Sequence, residues 1–177
     1  MKAQKQVMKS QDIVILLKIL CLENKPWSQI SLANELFMSQ SEISQSIARS
    51  KYTGLLHIDG KNVNRLSFME FVQYGLRFVF PQKPGPVVRG VPTAHSAQPL
   101  NNHIKSNESY VWPSAKGNAR GQSIIPLYPS VVDAIKVDLD LYEMLSLIDA
   151  LRVGKAREKE LAISELKKRI LNDYEIY

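Results

Sequence analysis

The feature that most constrains the fold of this 177-residue chain is a pair of short capped helices in residues 28–56. Ser28 is placed to cap the first helix, and apolar residues recur at helical spacing behind it. Ser39, with Glu42 three residues later, has the pattern of a capping box at the start of the second helix. Two capped helices with a short turn between them predict a helix-turn-helix unit.

The second helix has one apolar and one polar face. Ile43 and Ile47 lie four residues apart and are expected to face inward. The opposite face carries Gln40, Ser41, Ser44, Gln45 and Arg49. Short hydroxyl groups, amides and cations are the groups that read base edges and phosphates in the DNA major groove. The second helix is therefore predicted to be a reading helix.

The residues that follow predict a β-hairpin. Gly54 ends the helix, residues 55–58 and 63–66 have the character of short strands, and residues 59–62 supply turn-forming side chains. A hairpin in this position corresponds to the wing of a winged helix, here residues 57–66.

Three segments carry a resemblance to a known family: the serine-rich run 39–47, the Gly-Leu-Leu exit at 54–56 and the Gly60-Lys61 tip. With these segments the chain resembles the winged helix-turn-helix transcription regulators, the MarR-like ones in particular, over residues 10–80. The resemblance implies binding to double-stranded DNA. The alternative is a winged helix that serves only in protein interaction or dimerisation.

The DNA-binding interpretation gives each polar side chain a role. Gln45 is the best candidate for a bidentate contact to adenine, and Arg49 and Lys51 would reach phosphates. The wing would lie along the adjacent backbone or minor groove. The predicted DNA contacts are Ser39, Gln40, Ser41, Ser44, Gln45, Arg49, Lys51, Lys61, Asn64 and Arg65. One such unit contacts few bases, so we expect a homodimer on a palindromic site.

Helices flank this unit on both sides. Residues 10–22 predict a helix crowded with branched aliphatic side chains, buried between the reading unit and another part of the chain. Residues 67–80, with Ser67 as a cap, predict another helix with a broad apolar face. That face would form a dimer seam, receive the C-terminal part, or simply close the core of the domain.

The remainder of the chain divides at its prolines. Eight of the nine prolines fall between Pro81 and Pro129, and residues 81–130 are therefore predicted to form an extended, partly ordered arm or a flexible linker. Two segments of it, 88–92 and 119–126, resemble each other. Residues 131–177 predict a short helical turn and a helical hairpin with Asp138 as a cap. The seam of this hairpin needs a partner: helix 67–80, a second subunit or another protein.

The predicted fold class is thus mainly α with a small β wing (α+β), in three parts: a winged helix-turn-helix domain at 1–80, the arm at 81–130 and C-terminal helices at 131–177. The distribution of charge along the chain supports the prediction of a DNA-binding domain. Residues 1–80 hold ten Lys and Arg against six Asp and Glu, and residues 81–130 hold five against one, whereas residues 131–177 hold eight against ten. The first two parts would attract phosphates.

Nothing in the sequence indicates an enzyme. Its glycines lack the setting of a phosphate-binding loop, its three histidines lack metal-ligand spacing, and Cys21 is the only cysteine. We therefore expect no catalysis, no cofactor and no metal. The apolar run around Lys18 is too short to span a bilayer, so we expect a cytoplasmic protein without a membrane segment.

The sequence leaves a second class of function open. An interaction subunit, antitoxin-like or adaptor-like, would wrap a protein partner with residues 81–177 and use its winged domain for autoregulation or support. Some abortive-infection antitoxins resemble this layout, with a winged helix ahead of a second domain.

Overall fold

A computed structural model describes residues 7–172 of the protein; residues 1–6 and 173–177, which belong to the predicted N-terminal and C-terminal parts, lie outside the described residues. The described chain is α+β. Its elements are α1 (Ser10–Leu22), α2 (Gln29–Leu36), α3 (Gln40–Tyr52), α4 (Arg65–Tyr74), α5 (Leu76–Val79), β1 (Val87–Pro92), β2 (Tyr110–Pro113), β3 (Ala119–Ser123), α6 (Val131–Ala134), α7 (Leu139–Val153) and α8 (Ala156–Leu171).

Helix α1 lies at the centre of the molecule. Its bounds are the predicted ones, and every residue from Asp12 to Leu20 is buried. One side packs against α3 and another against α7, which confirms that the helix is enclosed between the reading unit and a second part of the chain. A helix that is apolar around most of its circumference is stable only when neighbours surround it in this way.

The hairpin in the structure is shorter than the predicted wing. A single antiparallel bridge, Leu56 to Val63, replaces the two strands, and α4 begins at Arg65 rather than at Ser67. Asp59 closes the turn, because its carboxylate accepts the backbone N–H groups of Lys61 and Asn62. The prediction of a second strand through residue 66 was therefore wrong, although a tight hairpin is present.

The prediction of an extended arm at 81–130 was also wrong. Within this segment β1 pairs antiparallel with both β2 and β3, and β2 pairs with β3 in parallel, so that the three strands close into a small barrel. The two similar segments noted in the sequence include β1 and β3, which pair with each other. Glycines permit the close approach of the strands: a Cβ atom on Gly90 would lie 2.0 Å from the carbonyl oxygen of Trp112.

The barrel is fixed to α7 by a buried hydrogen-bond network around Asp149. One carboxylate oxygen accepts from Trp112 Nε1 at 2.6 Å and from Thr93 Oγ1 at 2.8 Å. The other accepts from Arg152 Nη1 at 2.9 Å, and Arg152 Nε donates to the carbonyl of Phe80. Burial is the largest influence on Asp149 and raises the pKa of its carboxyl group.

The C-terminal helices find their partners within the same chain. Helices α7 and α8 pack on each other; α7 also packs on α1 and α5, and α8 on α4. Of the roles left open for residues 67–80, the structure shows contact with the C-terminal part, although Phe78 and Val79 remain exposed. One continuous apolar core joins residues from all three predicted parts.

Candidate nucleic-acid interface

The two helices of the predicted reading unit are capped as the sequence indicates. Ser28 Oγ accepts the N–H of Ser31 at the start of α2. At the start of α3, the N–H of Ser39 donates to Glu42 Oε2 at 2.8 Å while the N–H of Glu42 donates to Ser39 Oγ at 3.2 Å. The capping box is therefore formed, and it fixes the direction in which α3 leaves the turn.

The turn between α2 and α3 depends on an unusual backbone conformation. Phe37 follows α2 in the left-handed region, with φ of 53° and ψ of 43°, and its side chain is 59% exposed. Met38, by contrast, is buried in the core. This arrangement changes the chain direction within three residues, because a left-handed residue ends a helix abruptly.

Helix α3 presents one continuous polar surface, which we call the reading face: Gln40, Ser41, Ser44 and Gln45. All four side chains are exposed, and Ile43 and Ile47 on the other side are buried. Gln45 Nε2 donates to Ser41 Oγ at 3.1 Å, so the two side chains lie together one turn apart. Amide and hydroxyl groups on the first turns of a capped helix are suited to donate to and accept from base edges.

Arg49 does not lie on this surface, contrary to the sequence prediction. Its guanidinium group is buried against α1, where Nε donates to Asp12 Oδ2 at 2.9 Å and Nη2 donates to Asp12 Oδ1 at 2.8 Å. The side chain thus links α3 to α1 in a bidentate ion pair and cannot reach phosphate. Lys51 on the last turn of α3 is exposed and remains available for that role.

Of the three predicted contact residues on the hairpin, only Lys61 is exposed. Lys61 is exposed and its Nζ atom lies 4.4 Å from the centre of the Trp27 ring. Asn64 and Arg65 are half-buried, since Asn64 Nδ2 donates to the carbonyl of Gly54 and Arg65 Nη1 donates to the carbonyl of Ile170 at 2.7 Å. These two residues hold the fold together rather than face outward.

Of the ten predicted contact residues, the structure therefore leaves seven exposed: Ser39, Gln40, Ser41, Ser44, Gln45, Lys51 and Lys61. The five between Ser39 and Gln45 lie together at the start of α3. Lys51 lies at the end of the same helix, and Lys61 on the hairpin that follows.

Two hydrogen bonds hold the helix-turn-helix from a distant part of the chain, and the sequence did not predict them. Tyr128 Oη donates to Glu42 Oε1 at 2.5 Å, and Ser130 Oγ donates to the carbonyl of Leu36 at 2.6 Å. The hydrogen bond from Tyr128 is the main cause that lowers the pKa of Glu42, and the same bond raises the pKa of Tyr128. The segment after the barrel thus holds the start of α3 in place. Its partners lie 86 and 94 residues away in sequence, and no local pattern indicates them.

The described residues offer little alternative chemistry. Across 7–172, no three His, Cys, Asp or Glu side chains gather closely enough to hold a metal ion. His95 is buried on the helical turn that follows β1, with Nε2 2.8 Å from the carbonyl oxygen of Glu108 and Nδ1 3.2 Å from Glu158 Oε1 on α8. No helix in this part of the chain is long and apolar enough to cross a membrane.

Comparison with known proteins yields no relative: no family model, curated protein or solved structure matches the chain. What the reading face binds is therefore inferred from its own geometry and chemistry.

Proposed function

We propose that this protein is a sequence-specific DNA-binding transcription regulator that inserts α3 into the major groove. The observation that carries the proposal is the reading face, a continuous exposed row of amide and hydroxyl side chains on a helix with a fixed cap. In a helix-turn-helix, residues near the start of the second helix contact base edges. Gln45, oriented by Ser41, remains the candidate for an adenine contact.

Phosphate contacts fall to the exposed cations near α3. We assign them to Lys51 and Lys61, since Arg49 is buried and Arg65 half-buried. Lys61 Nζ donates to the carbonyl of Trp27 at 3.3 Å, but its side chain remains exposed. A homodimer on a palindromic site is proposed because one reading helix spans only a few base pairs. Such a regulator would act in the cytoplasm without a cofactor, and we propose no catalytic activity for it.

The alternative interaction subunit was based on an extended arm together with the C-terminal helices, and it loses the arm. Strands within residues 87–123 form a barrel that is hydrogen-bonded to Asp149 on α7 of the same chain, so this segment does not extend as an arm that wraps a partner. A protein partner bound by residues 81–177 stays a prediction.

The proposed function is tested by quantitative binding to DNA. Fragments of the source genome are selected for binding, and the affinity of an enriched duplex is measured by fluorescence anisotropy over a range of salt concentrations. Lys51→Gln is compared with Lys167→Gln, which removes the same charge from an exposed position on α8. The steepness of the salt dependence is the slope of log K against the logarithm of the salt concentration. Loss of one phosphate contact lowers its magnitude by about 0.9 for each copy of the protein on the DNA.

The expected outcome is a weaker and less salt-dependent complex for Lys51→Gln and unchanged binding for Lys167→Gln. Equal behaviour of the two variants would show that α3 does not approach DNA. Absence of any enriched fragment for the wild type would contradict sequence-specific binding altogether.

A further inference from the structure

The outer surface of the barrel carries two arginines directly opposite each other. In the antiparallel pairing of β1 with β3, Arg89 is opposite Arg120, Gly90 is opposite Ala119 and Val88 is opposite Gly121. Both arginine side chains are exposed. Each strand carries an Arg-Gly pair, and in this register the two arginines are opposite each other whereas the glycines are not.

The glycines of these pairs are explained by the fold. A Cβ atom on Gly90 would lie 2.0 Å from the carbonyl oxygen of Trp112, and one on Gly121 would lie 2.6 Å from the carbonyl oxygen of Ser109. Only glycine permits the strands to approach so closely. The barrel thus requires the glycines, but not the arginines beside them.

Within the described residues, the two arginines have no anionic partner. Among residues 7–172, neither Arg89 nor Arg120 has a carboxylate within 4.0 Å or a side-chain hydrogen bond. Like charges directly opposite each other destabilise a sheet. The pair therefore opposes folding slightly, and an anionic partner would remove the repulsion.

A third cation, Lys116, lies on the turn between β2 and β3, and the chain that leaves β3 contacts the helix-turn-helix. The N–H of Ser114 donates to the carbonyl of Arg89 at 3.1 Å, which places the turn bearing exposed Lys116 against β1. Five residues after β3, Tyr128 Oη donates to Glu42 Oε1 at the start of α3. Helix α6 packs against α2 of the reading unit.

We propose that Arg89, Lys116 and Arg120, which we call the barrel cations, bind the phosphate backbone of the same DNA duplex that α3 reads. The proposal rests on the proposed function. The planar fork of each guanidinium group suits the oxygens of a phosphate, and the duplex offers a regular row of phosphates to adjacent arginines. Residues 81–130 contain a single acidic residue, Glu108, so the surrounding charge favours an anionic ligand.

The barrel cations are tested by the salt dependence of binding to a 40-base-pair duplex of random sequence, measured by fluorescence anisotropy. The variant is Arg89→Gln/Arg120→Gln, and the matched control is Arg157→Gln/Lys167→Gln, two exposed cations on α8. We expect the steepness of the salt dependence to fall by about 1.8 per copy in the variant and to stay unchanged in the control.

Two further measurements separate binding from folding. The melting temperature of Arg89→Gln/Arg120→Gln should equal or exceed that of the wild type, because a repulsive pair has been removed. Arg89→Lys/Arg120→Lys, which keeps both charges, should keep the wild-type salt dependence. A lower melting temperature together with an unchanged salt dependence would make the arginines structural and overturn the proposal.

The remaining outcomes distinguish the two proposals. If Arg89→Gln/Arg120→Gln and its control bind alike, the barrel cations do not contact DNA, while the reading-face assignment is unaffected. If the barrel variant alone weakens binding and Lys51→Gln does not, the barrel binds DNA and the reading-helix function fails. A wild-type protein that does not bind the duplex even at low salt overturns both.

Discussion

Replacement of Arg49 by methionine is the sharpest test of how the reading helix is held. The side chain of Arg49 is 9% exposed and that of Asp12 is fully buried, and two hydrogen bonds of 2.9 and 2.8 Å join them. Arg49→Met keeps most of the side-chain volume but leaves the Asp12 carboxylate without its cation. Loss of one partner from a buried ion pair costs about 3–5 kcal/mol, because the remaining charge stays desolvated.

This cost is large relative to the stability of a domain, which is about 5–15 kcal/mol. With a urea dependence of about 2 kcal/mol per molar, a loss of about 4 kcal/mol lowers the midpoint of urea unfolding by about 2 M. Unfolding is followed by circular dichroism at 222 nm. The double variant Asp12→Leu/Arg49→Met serves as the control, since replacement of both charges by apolar groups is expected to recover most of the loss.

The same variants separate a structural role from a DNA contact. Under conditions where Arg49→Met is still folded, it should bind DNA like the wild type, whereas Lys51→Gln should bind more weakly and remain as stable as the wild type. A loss of less than about 1 kcal/mol in Arg49→Met would refute the buried-pair reasoning. Weakened binding by the folded Asp12→Leu/Arg49→Met protein would restore Arg49 as a DNA contact.

Three further predictions concern other contacts. Tyr128→Phe should lower the free energy of unfolding by about 1 kcal/mol at neutral pH, a value reduced for partial exposure. The hydrogen bond from Tyr128 lowers the pKa of Glu42 from its ordinary value. Its contribution to stability is therefore present above the ordinary pKa and is lost as the pH falls through the lowered one. The wild type and Tyr128→Phe should thus converge in stability in acid, and a constant difference would contradict the bond. Asp149→Asn should lower the free energy of unfolding in urea by about 3 kcal/mol, because buried Arg152 loses its counter-charge. A change near zero would show that the network does not stabilise the fold. Burial raises the pKa of the Cys21 thiol to about 12, so it should react with Ellman's reagent at pH 8 far more slowly in the native protein than in urea, and equal rates would refute this.

The helices near the start of the chain could be predicted because their signals are local. Capping residues such as Ser28 and Ser39 act within three residues of themselves, and apolar spacing reveals the buried face of each helix. The bounds of α1 and the cap of α7 at Asp138 followed from the same signals. The polar reading face was visible for the same reason.

The barrel could not be predicted because its strands lack a local signature. They are four to six residues long, they include glycine and proline, and their side chains do not alternate between apolar and polar. Their pairing joins residues far apart in the sequence. The abundance of proline suggested an extended chain, whereas close backbone contacts at glycines such as Gly90 set the observed structure.

The errors at the candidate site have a related cause. Spacing along α3 does not reveal that Arg49 meets Asp12, which is 37 residues away. In the same way, the partner of Arg65 is the carbonyl of Ile170, 105 residues away. A long cationic side chain is as suited to a buried pair as to phosphate, and only the tertiary structure decides between the two.

The most direct test of the central claim is a selection from random duplex DNA, performed in parallel with the wild-type protein and with Gln45→Ala. We expect the wild type to enrich a palindromic sequence. Gln45→Ala should lose the preference for one base pair, the adenine contact, in each half-site and retain the preferences at the other positions. Identical enriched sequences for the two proteins, or no enriched sequence for the wild type, would contradict the claim that α3 reads DNA.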